Sequence, residues 1–525
     1  MVQLSQVKRG TTPPEVIVPR EYNAAHDLIE RNLVAGRGGK LAFIDDEGSY
    51  TYDELARRVN RFANVLSGLG VQREERVLLC LLDTIDFPTA FLGAIKMGAV
   101  PIATNTLLTA NDYDYMLRDS RASTVVVSQP LWPHFAGIVD RIPSLKQVIV
   151  SGGNVPGRLE MATLMATASE EFSAVDTSCD DPCFWLYSSG STGKPKGTVH
   201  IQSSLIHTAE LYAVPTLGIN EKDVVFSAAK LFFAYGLGNG LTFPLAVGAT
   251  AVLMQERPTP EAVFKRLRQH RPDIFYGVPT LYASMLVHPD CPTREEMKFR
   301  CCTSAGEALP DEIGRRWSAR FGVDILDGIG STEMLHIFLS NRAGEVRYGT
   351  TGKPVPGYRV RLVDDEGQEV GVGEIGELQV SGPSSAVQYW NNREKTRATF
   401  QGEWTVSGDK YSRTEDGYYI YAGRGDDMLK VGGIYVSPTE VESALMNHEA
   451  VLEVAVVGHQ DEEKLVKPIA YVVPKSGWEP TPQLADELKK FVKTHLAPYK
   501  YPRWIVFRDA LPRTATGKIQ RYQLR

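Results

Sequence analysis

Two kinds of apolar pattern alternate between residues 52 and 320, and this alternation limits what the chain can fold into. Helical spacing runs through 52–69, where Leu55, Val59, Phe62, Ala63 and Leu66 share a face. Apolar runs at 76–82 and 123–127 read as buried strands. Helical patterns at 87–97 and 109–119 lie between them, the second with Thr109 as N-cap. Strands at 223–228, 249–254, 274–278 and 300–303 then alternate with helices at 261–269, 280–287 and 310–320. Such alternation predicts an α/β architecture with largely parallel sheets. After Gly349 the texture changes. Short strands at 359–364, 376–381 and 417–422, broken by Gly-rich turns, predict a small antiparallel β unit. After Arg424 helices are expected at 439–446 and 483–495, and strands at 451–458, 468–473 and 504–507. A chain of 525 residues exceeds one core. The expected division is a large domain, 1–425, and a small α+β domain, 426–525.

Bulk charge directs the chain to no polyanion. The net charge is −6, with 43% hydrophobic and 23% charged residues. These values predict neither a nucleic-acid partner nor a membrane-surface role, so anion binding must come from local groups. No run reaches the ~20 apolar residues of a membrane span. Residues 1–20 carry charges and prolines without an apolar core, which predicts no secretory signal and a cytoplasmic protein. The six cysteines, Cys80, Cys179, Cys183, Cys291, Cys301 and Cys302, have no zinc or redox spacing and read as reduced structural thiols.

Local anion-binding groups concentrate in residues 187–200, Tyr-Ser-Ser-Gly-Ser-Thr-Gly-Lys-Pro-Lys-Gly-Thr-Val-His. Glycines let backbone N–H groups approach an anion, and hydroxyls and lysines add donors and charge. The preceding Phe184, Trp185, Leu186 and Tyr187 read as a buried strand. A strand opening into such a loop suits phosphate. The loop is not a Walker A motif, because only Ser191 and Thr192 separate Gly190 from Gly193, and Pro195 follows Lys194.

The order Ser-Ser-Gly-Ser-Thr-Gly-Lys-Pro-Lys-Gly resembles the phosphate loop of the acyl-adenylate-forming enzymes: acyl-CoA synthetases, luciferases and the adenylation domains of peptide synthetases. Five further segments match the same family in the same order. They are Ser304 to Leu309; Asp327-Gly328-Ile329-Gly330-Ser331-Thr332-Glu333; Gly402 to Asp409; Tyr421 to Gly433; and Pro512 to Ile519. The resemblance implies a large domain of two βα subdomains plus the small β unit, and a mobile C-terminal domain. It implies ATP, Mg²⁺ and coenzyme A as cofactor and co-substrates. Nucleotide contacts would come from Ser188, Ser189, Gly190, Ser191, Thr192, Gly193, Lys194 and Lys196. Ala305, Gly306, Glu307, Asp327, Gly328 and Ile329 would line the adenine site, with Ile329 where the family carries an aromatic residue. Thr332 would bond an α-phosphate oxygen and Glu333 would hold Mg²⁺, for which one carboxylate beside nucleotide oxygens suffices. Asp409 and Arg424 would take the ribose.

The same resemblance gives a division of labour. Carboxylate and ATP are both anions that must meet for in-line attack, so positioning and charge neutralisation dominate the barrier. Lys518 would bridge them in the first step. The C-terminal domain would then turn about Asp426 and present Lys430 with Gly432 and Gly433 for the thiol step. No carrier motif follows Lys518, which predicts soluble coenzyme A as acceptor.

The segments Lys230 to Asn239 and Gly330 to Phe338 look like those of the benzoate–CoA ligases. Phe232, Ala234, Tyr235, Gly236, His336 and Ile337 would enclose a small aromatic carboxylate, with Ala234 and Gly236 making room for its face. A homodimer is left open. So are a synthetase for another small or medium-chain carboxylate and an adenylating enzyme with a different acceptor. A regulator that has lost its chemistry is disfavoured, because Glu333, Asp409, Arg424, Lys430 and Lys518 are all present.

Overall fold

The structure is a computed structural model. It describes residues 2–188, 194–431, 434–461, 465–496, 500–513 and 519–525, without the side chains of 426, 430, 434 and 435. The chain forms two compact units. One comprises 1–348, 352–359 and 380–405; the other comprises 349–351, 360–379 and 406–525. The second unit thus takes in residues 406–425, ahead of the Asp426 pivot expected from the sequence.

Two sheets build the first unit. The eight-stranded sheet centres on Pro182–Ser188, Val100–Ala103, Arg76–Cys80, Thr124–Ser128 and Gln147–Ser151, all parallel. Lys196–Ile201 lies antiparallel beside Pro182–Ser188, and Gln388–Tyr389 pairs antiparallel on its outer side. The nine-stranded sheet has Thr250–Val252, Val224–Ser227, Ile274–Gly277, Cys301–Ser304 and Ile325–Gly330 as its parallel centre. The strands read from the sequence are among these, displaced by a residue or two at their ends, and Val100–Ala103, Gln147–Ser151, Lys196–Ile201 and Ile325–Gly330 are strands that the sequence reading did not include.

Local chemistry fixes the helices between these strands. Thr51 and Glu54 form a capping box at the start of Tyr52–Gly68, satisfying donors that a helix N-terminus leaves open. That helix buries Leu55, Val59, Phe62 and Leu66. Burying each such side chain contributes about 1.5–3 kcal/mol. It packs against Asp86–Lys96 across Gly93, where a Cβ would lie 3.0 Å from Phe62 and 3.2 Å from the Val59 carbonyl. Cysteines follow the expectation: all are free, and five of the six are buried.

Two helical stretches depart from α geometry. Ser204–Thr208 continues through a π turn at Ala209–Ala213 into Val214–Leu217. Ala234–Leu237 continues through a second π turn at Gly238–Thr242 into Phe243–Val247. Turns of this kind recur at functional sites.

The second unit holds the antiparallel pairing of Trp404–Arg413 with Tyr419–Arg424 over residues 409–424, and the short ladder Leu429–Val431 with Ile434–Val436. Its three-stranded sheet, Val451–Gln460, Val466–Pro474 and Trp504–Phe507, is covered by Pro438–Met446 and Pro482–His495 around a core of Val441, Leu445, Val456, Val472 and Leu488. Among the described residues no helix is long and apolar enough to cross a membrane.

Candidate active site

The phosphate-loop motif connects two antiparallel strands. Tyr187 lies opposite Gly197 and Ser188 opposite Lys196. Ser189, Gly190, Ser191, Thr192 and Gly193 lie outside the described residues. Both shoulders of the loop are fastened. Tyr187 donates its hydroxyl to Asp119 (2.7 Å), and the Trp390 indole N–H donates to the Asp119 carbonyl (2.9 Å). Tyr115 donates to the Pro195 carbonyl (3.0 Å), and its ring lies under the Lys194 ammonium at 5.0 Å. Lys196 stands 4.4 Å above the Tyr389 ring.

Glu333 comes to the base of this loop. Its Oε1 accepts from Ser188 Oγ (3.2 Å) and from the Tyr389 hydroxyl (2.7 Å). Its backbone carbonyl accepts from the Ala386 N–H (2.7 Å). The adjoining Thr332 carbonyl accepts from His200 Nε2 (2.7 Å). Burial pushes His200 down to about 4, so the ring is neutral, and this contact places its hydrogen on Nε2. Thr332 and Glu333 are half-buried and thus open to a ligand. One carboxylate flanked by hydroxyls suits an ion that takes its other ligands from a nucleotide. Among the described residues no cluster of three His, Cys, Asp or Glu side chains offers a self-sufficient metal cage.

The adenine candidates meet at the ends of two neighbouring parallel strands. Ser304 is paired with Asp327, Ala305 is buried, and Gly306 turns the chain at φ +94° with open space on its Cβ side. Glu307 is half-buried. Asp327 is buried with Oδ1 lacking a protein partner. Burial pushes its carboxyl up to about 8, against backbone N–H groups of Leu309 and Gly328. An unmatched buried acceptor beside an open turn fits a ligand that brings its own donor, as an adenine amine does. Gly328 packs on the Leu339 carbonyl, where a Cβ would lie at 2.8 Å. Ile329, opposite Leu339, presents a half-buried aliphatic face.

The aryl candidates divide. Tyr235 and His336 are joined, His336 Nε2 lying 3.2 Å from the Tyr235 carbonyl. The Tyr235 hydroxyl meets Thr303 Oγ1 at 2.5 Å. The His336 ring packs among Tyr235 (5.5 Å), Tyr212 (5.3 Å) and Phe243 (4.5 Å). Burial pushes this histidine down to about 3. Ile337 is buried beside it in sequence, and Phe232 is buried against Phe233 (4.5 Å). Ala234 is half-buried. Gly236 differs from expectation: a Cβ there would lie 2.0 Å from the Lys230 carbonyl. Its missing side chain serves backbone packing inside the turn. The glycine that makes room for the His336 ring is Gly238, where a Cβ would lie 2.4 Å from His336 Cδ2.

In the second unit Arg424 Nη1 donates to Asp409 Oδ1 (3.0 Å) and to the Ser407 carbonyl (3.3 Å). The two residues are cross-strand partners. Gly425–Asp427 form a 3₁₀ turn, and Lys430 lies in the strand Leu429–Val431. The side chains of Asp426 and Lys430, and all of Gly432, Gly433 and Lys518, lie outside the described residues. Tyr389, Tyr115, Tyr212 and His200 were not singled out from the sequence. Each acts through a partner more than fifty residues away, and no local signature marks them.

Family models match at two places: AMP-binding enzyme over residues 30–390, and AMP-binding enzyme C-terminal domain over residues 440–518. The chain is 68% identical over 527 residues to a benzoate–CoA ligase of Thauera aromatica, covering 100% of each. It is 51% identical over 508 residues to a 4-hydroxybenzoate–CoA/benzoate–CoA ligase of Rhodopseudomonas palustris, covering 96% of this chain and 94% of the relative. Among solved structures, a benzoate CoA ligase from Burkholderia xenovorans LB400 superposes with a TM-score of 0.89 at 59% identity, covering 96% of this chain and 100% of that one. An anthranilate CoA ligase in complex with anthranoyl-AMP gives 0.91 at 43% identity, covering 97% of each. With the loop, the carboxylate at its base and these full-length matches in agreement, the chain belongs to the AMP-binding enzyme family.

Proposed function

We propose that the protein ligates benzoate, or a closely related small aromatic carboxylate, to coenzyme A through an acyl-AMP intermediate. The observation that carries the substrate assignment is the joined Tyr235–His336 wall. Neutral His336 is closed in by Tyr212, Tyr235 and Phe243, so this cluster offers aromatic faces and an uncharged imidazole to a ring. The names of the relatives at 68% and 51% identity point the same way.

In the first step a carboxylate oxygen attacks the α-phosphorus of ATP. An O–P bond forms, the bond to the β-phosphate oxygen breaks, and pyrophosphate leaves. Thr332 donates to an α-phosphate oxygen, the loop 188–196 holds the phosphates, and Lys518 neutralises the two approaching anions. Glu333 holds Mg²⁺, which when bound supplies further neutralisation of phosphate charge. Asp409 and Arg424 take the ribose, and Asp327 accepts from adenine. In the second step the sulfur of coenzyme A attacks the acyl carbonyl, its proton passes to solvent, and AMP leaves. The bodies 1–425 and 426–525 turn about Asp426 between the steps, exchanging Lys518 for Lys430 with Gly432 and Gly433.

The test is kcat/KM for benzoate, 2-aminobenzoate, cyclohexanecarboxylate, hexanoate and palmitate at saturating ATP and coenzyme A, with thioesters identified by mass. Benzoate is expected to lead. A preference for hexanoate or palmitate would refute the aryl assignment and leave the adenylate chemistry standing. A cytoplasmic location and a homodimer, further parts of this reading, are tested by cell fractionation and sedimentation.

A further inference from the structure

Asp83 follows the strand Arg76–Cys80 of the eight-stranded sheet, and Lys230 follows Val224–Ser227 of the nine-stranded sheet. Both stand at carboxyl ends of parallel strands, where α/β sheets place ligands. Asp83 is 4% exposed. Both its carboxylate oxygens lie 3.3 Å from the Leu231 N–H, and Lys230 Nζ faces Oδ2 at 3.9 Å. Lys230 also donates to the Met254 carbonyl. A carboxylate buried this far is costly unless partners compensate it, and here both partners belong to one turn. Burial pushes the Asp83 carboxyl up to about 6, while Lys230 and the Leu231 N–H act against that rise.

That turn is the base of the aryl wall. The Lys230 carbonyl accepts from the Phe233 N–H (3.0 Å) and lies against Gly236. Two residues beyond Phe233, the Tyr235 carbonyl holds His336. A continuous series of contacts thus runs from Asp83 through Lys230 and Leu231 to Tyr235 and His336.

We propose that Asp83 is a positioning residue for the aryl pocket: by receiving the Leu231 N–H and facing Lys230, it fixes the turn that presents Phe232 and Tyr235. This rests on the aryl-ligase reading above. Asp83 does not touch the substrate. Its effect is on acid recognition, whereas a general sheet-to-sheet staple would weaken acid and nucleotide binding alike.

The test compares Asp83→Ala and the conservative Asp83→Asn with wild type in the full chain. Asp83→Ala is expected to raise the benzoate KM by about tenfold and to lower benzoate selectivity over hexanoate, with the ATP KM held within about twofold. Asp83→Asn keeps an oxygen for the Leu231 N–H and recovers most of the benzoate KM. Deuterium uptake by the ligand-free protein should quicken at residues 229–237 in Asp83→Ala and stay unchanged at Thr124–Ser128. A benzoate KM that stays at the wild-type value, benzoate and ATP KM values that rise together, or unaltered uptake at 229–237 would each overturn the proposal. Should Asp83→Ala not fold, Lys230→Met removes the facing cation and is read in the same way. A wild-type protein that does not use benzoate would sink the substrate reading alone. The exchange measurement needs no substrate and still decides the role of Asp83.

Discussion

Tyr389 donates its phenolic hydrogen to Glu333 at 2.7 Å, and its ring carries Lys196 on one face at 4.4 Å. One buried aromatic side chain therefore orients the carboxylate assigned to Mg²⁺ and a cation at the shoulder of the phosphate loop. Tyr389→Phe keeps the ring and removes the hydrogen bond. Loss of an outer-shell partner of a metal ligand typically costs about 10–100-fold in metal affinity. The expected outcome is a higher Mg²⁺ requirement for pyrophosphate release, with weaker Mn²⁺ binding by electron paramagnetic resonance. Thioester formation from supplied benzoyl-AMP should be little changed. An unaltered Mg²⁺ titration would remove Tyr389 from this role.

Lys518→Ala should impair adenylation and spare thioester formation from benzoyl-AMP. The expected loss is about 10²–10³-fold, that of one strong transition-state donor. Single-turnover assays of the two half-reactions separate them. Equal losses in both would contradict the division of labour between Lys518 and Lys430.

Gly238→Ala places a methyl group where His336 Cδ2 lies, 2.4 Å from the added carbon. Overpacking of this kind costs about 1–3 kcal/mol, and here the imidazole must move. Benzoate kcat/KM should fall by about tenfold or more, with the ATP KM unchanged. A variant with wild-type benzoate kinetics would show that the His336 ring is not a wall of the pocket.

Acid should weaken the fold in part through buried His200 and His336 and half-buried His207. Burial pushes His200 and His207 down to about 4 and His336 to about 3, from an ordinary 6.5. The unfolded chain takes up these protons first as pH falls. The stability they contribute is therefore complete above 6.5 and is lost on descent toward 4. Each can contribute up to about 1.4 kcal/mol of loss per pH unit. Asp327, pushed up to about 8, acts in the opposite sense, so the informative quantity is a difference. His207→Gln should lose less stability than wild type between pH 6.5 and pH 5 in denaturant titrations. Identical pH slopes would refute burial of His207 as a cause.

Much of this architecture is legible in the sequence because it is local. Tyr52–Gly68 announces itself by its apolar spacing, and the strand at Pro182–Ser188 by its aromatic run. The motifs carrying Thr332, Glu333, Asp409 and Arg424 are contiguous, so a family resemblance locates them. What escapes is pairing across distance. Glu333 with Tyr389, Asp119 with Trp390 and Asp83 with Leu231 are brought together by the sheets alone. Gly236 and Gly238 look alike in sequence. Only the folded chain shows that one faces the Lys230 carbonyl and the other His336.

The π turn at Gly238–Thr242 sets a residue count as well as a shape. Tyr235 and Phe243 lie eight positions apart, and both pack on His336. At about 100° per residue an α-helix would place them about 80° apart around its axis. One extra residue absorbed in the π turn brings that angle to about 20° in the other direction and puts both rings on one side. Were the same residues wound as a regular α-helix, every side chain would keep its identity and one ring would still turn away from the histidine. Moving this pair of rings onto another protein of the same fold therefore requires keeping the π turn within residues 234–247 together with their side chains.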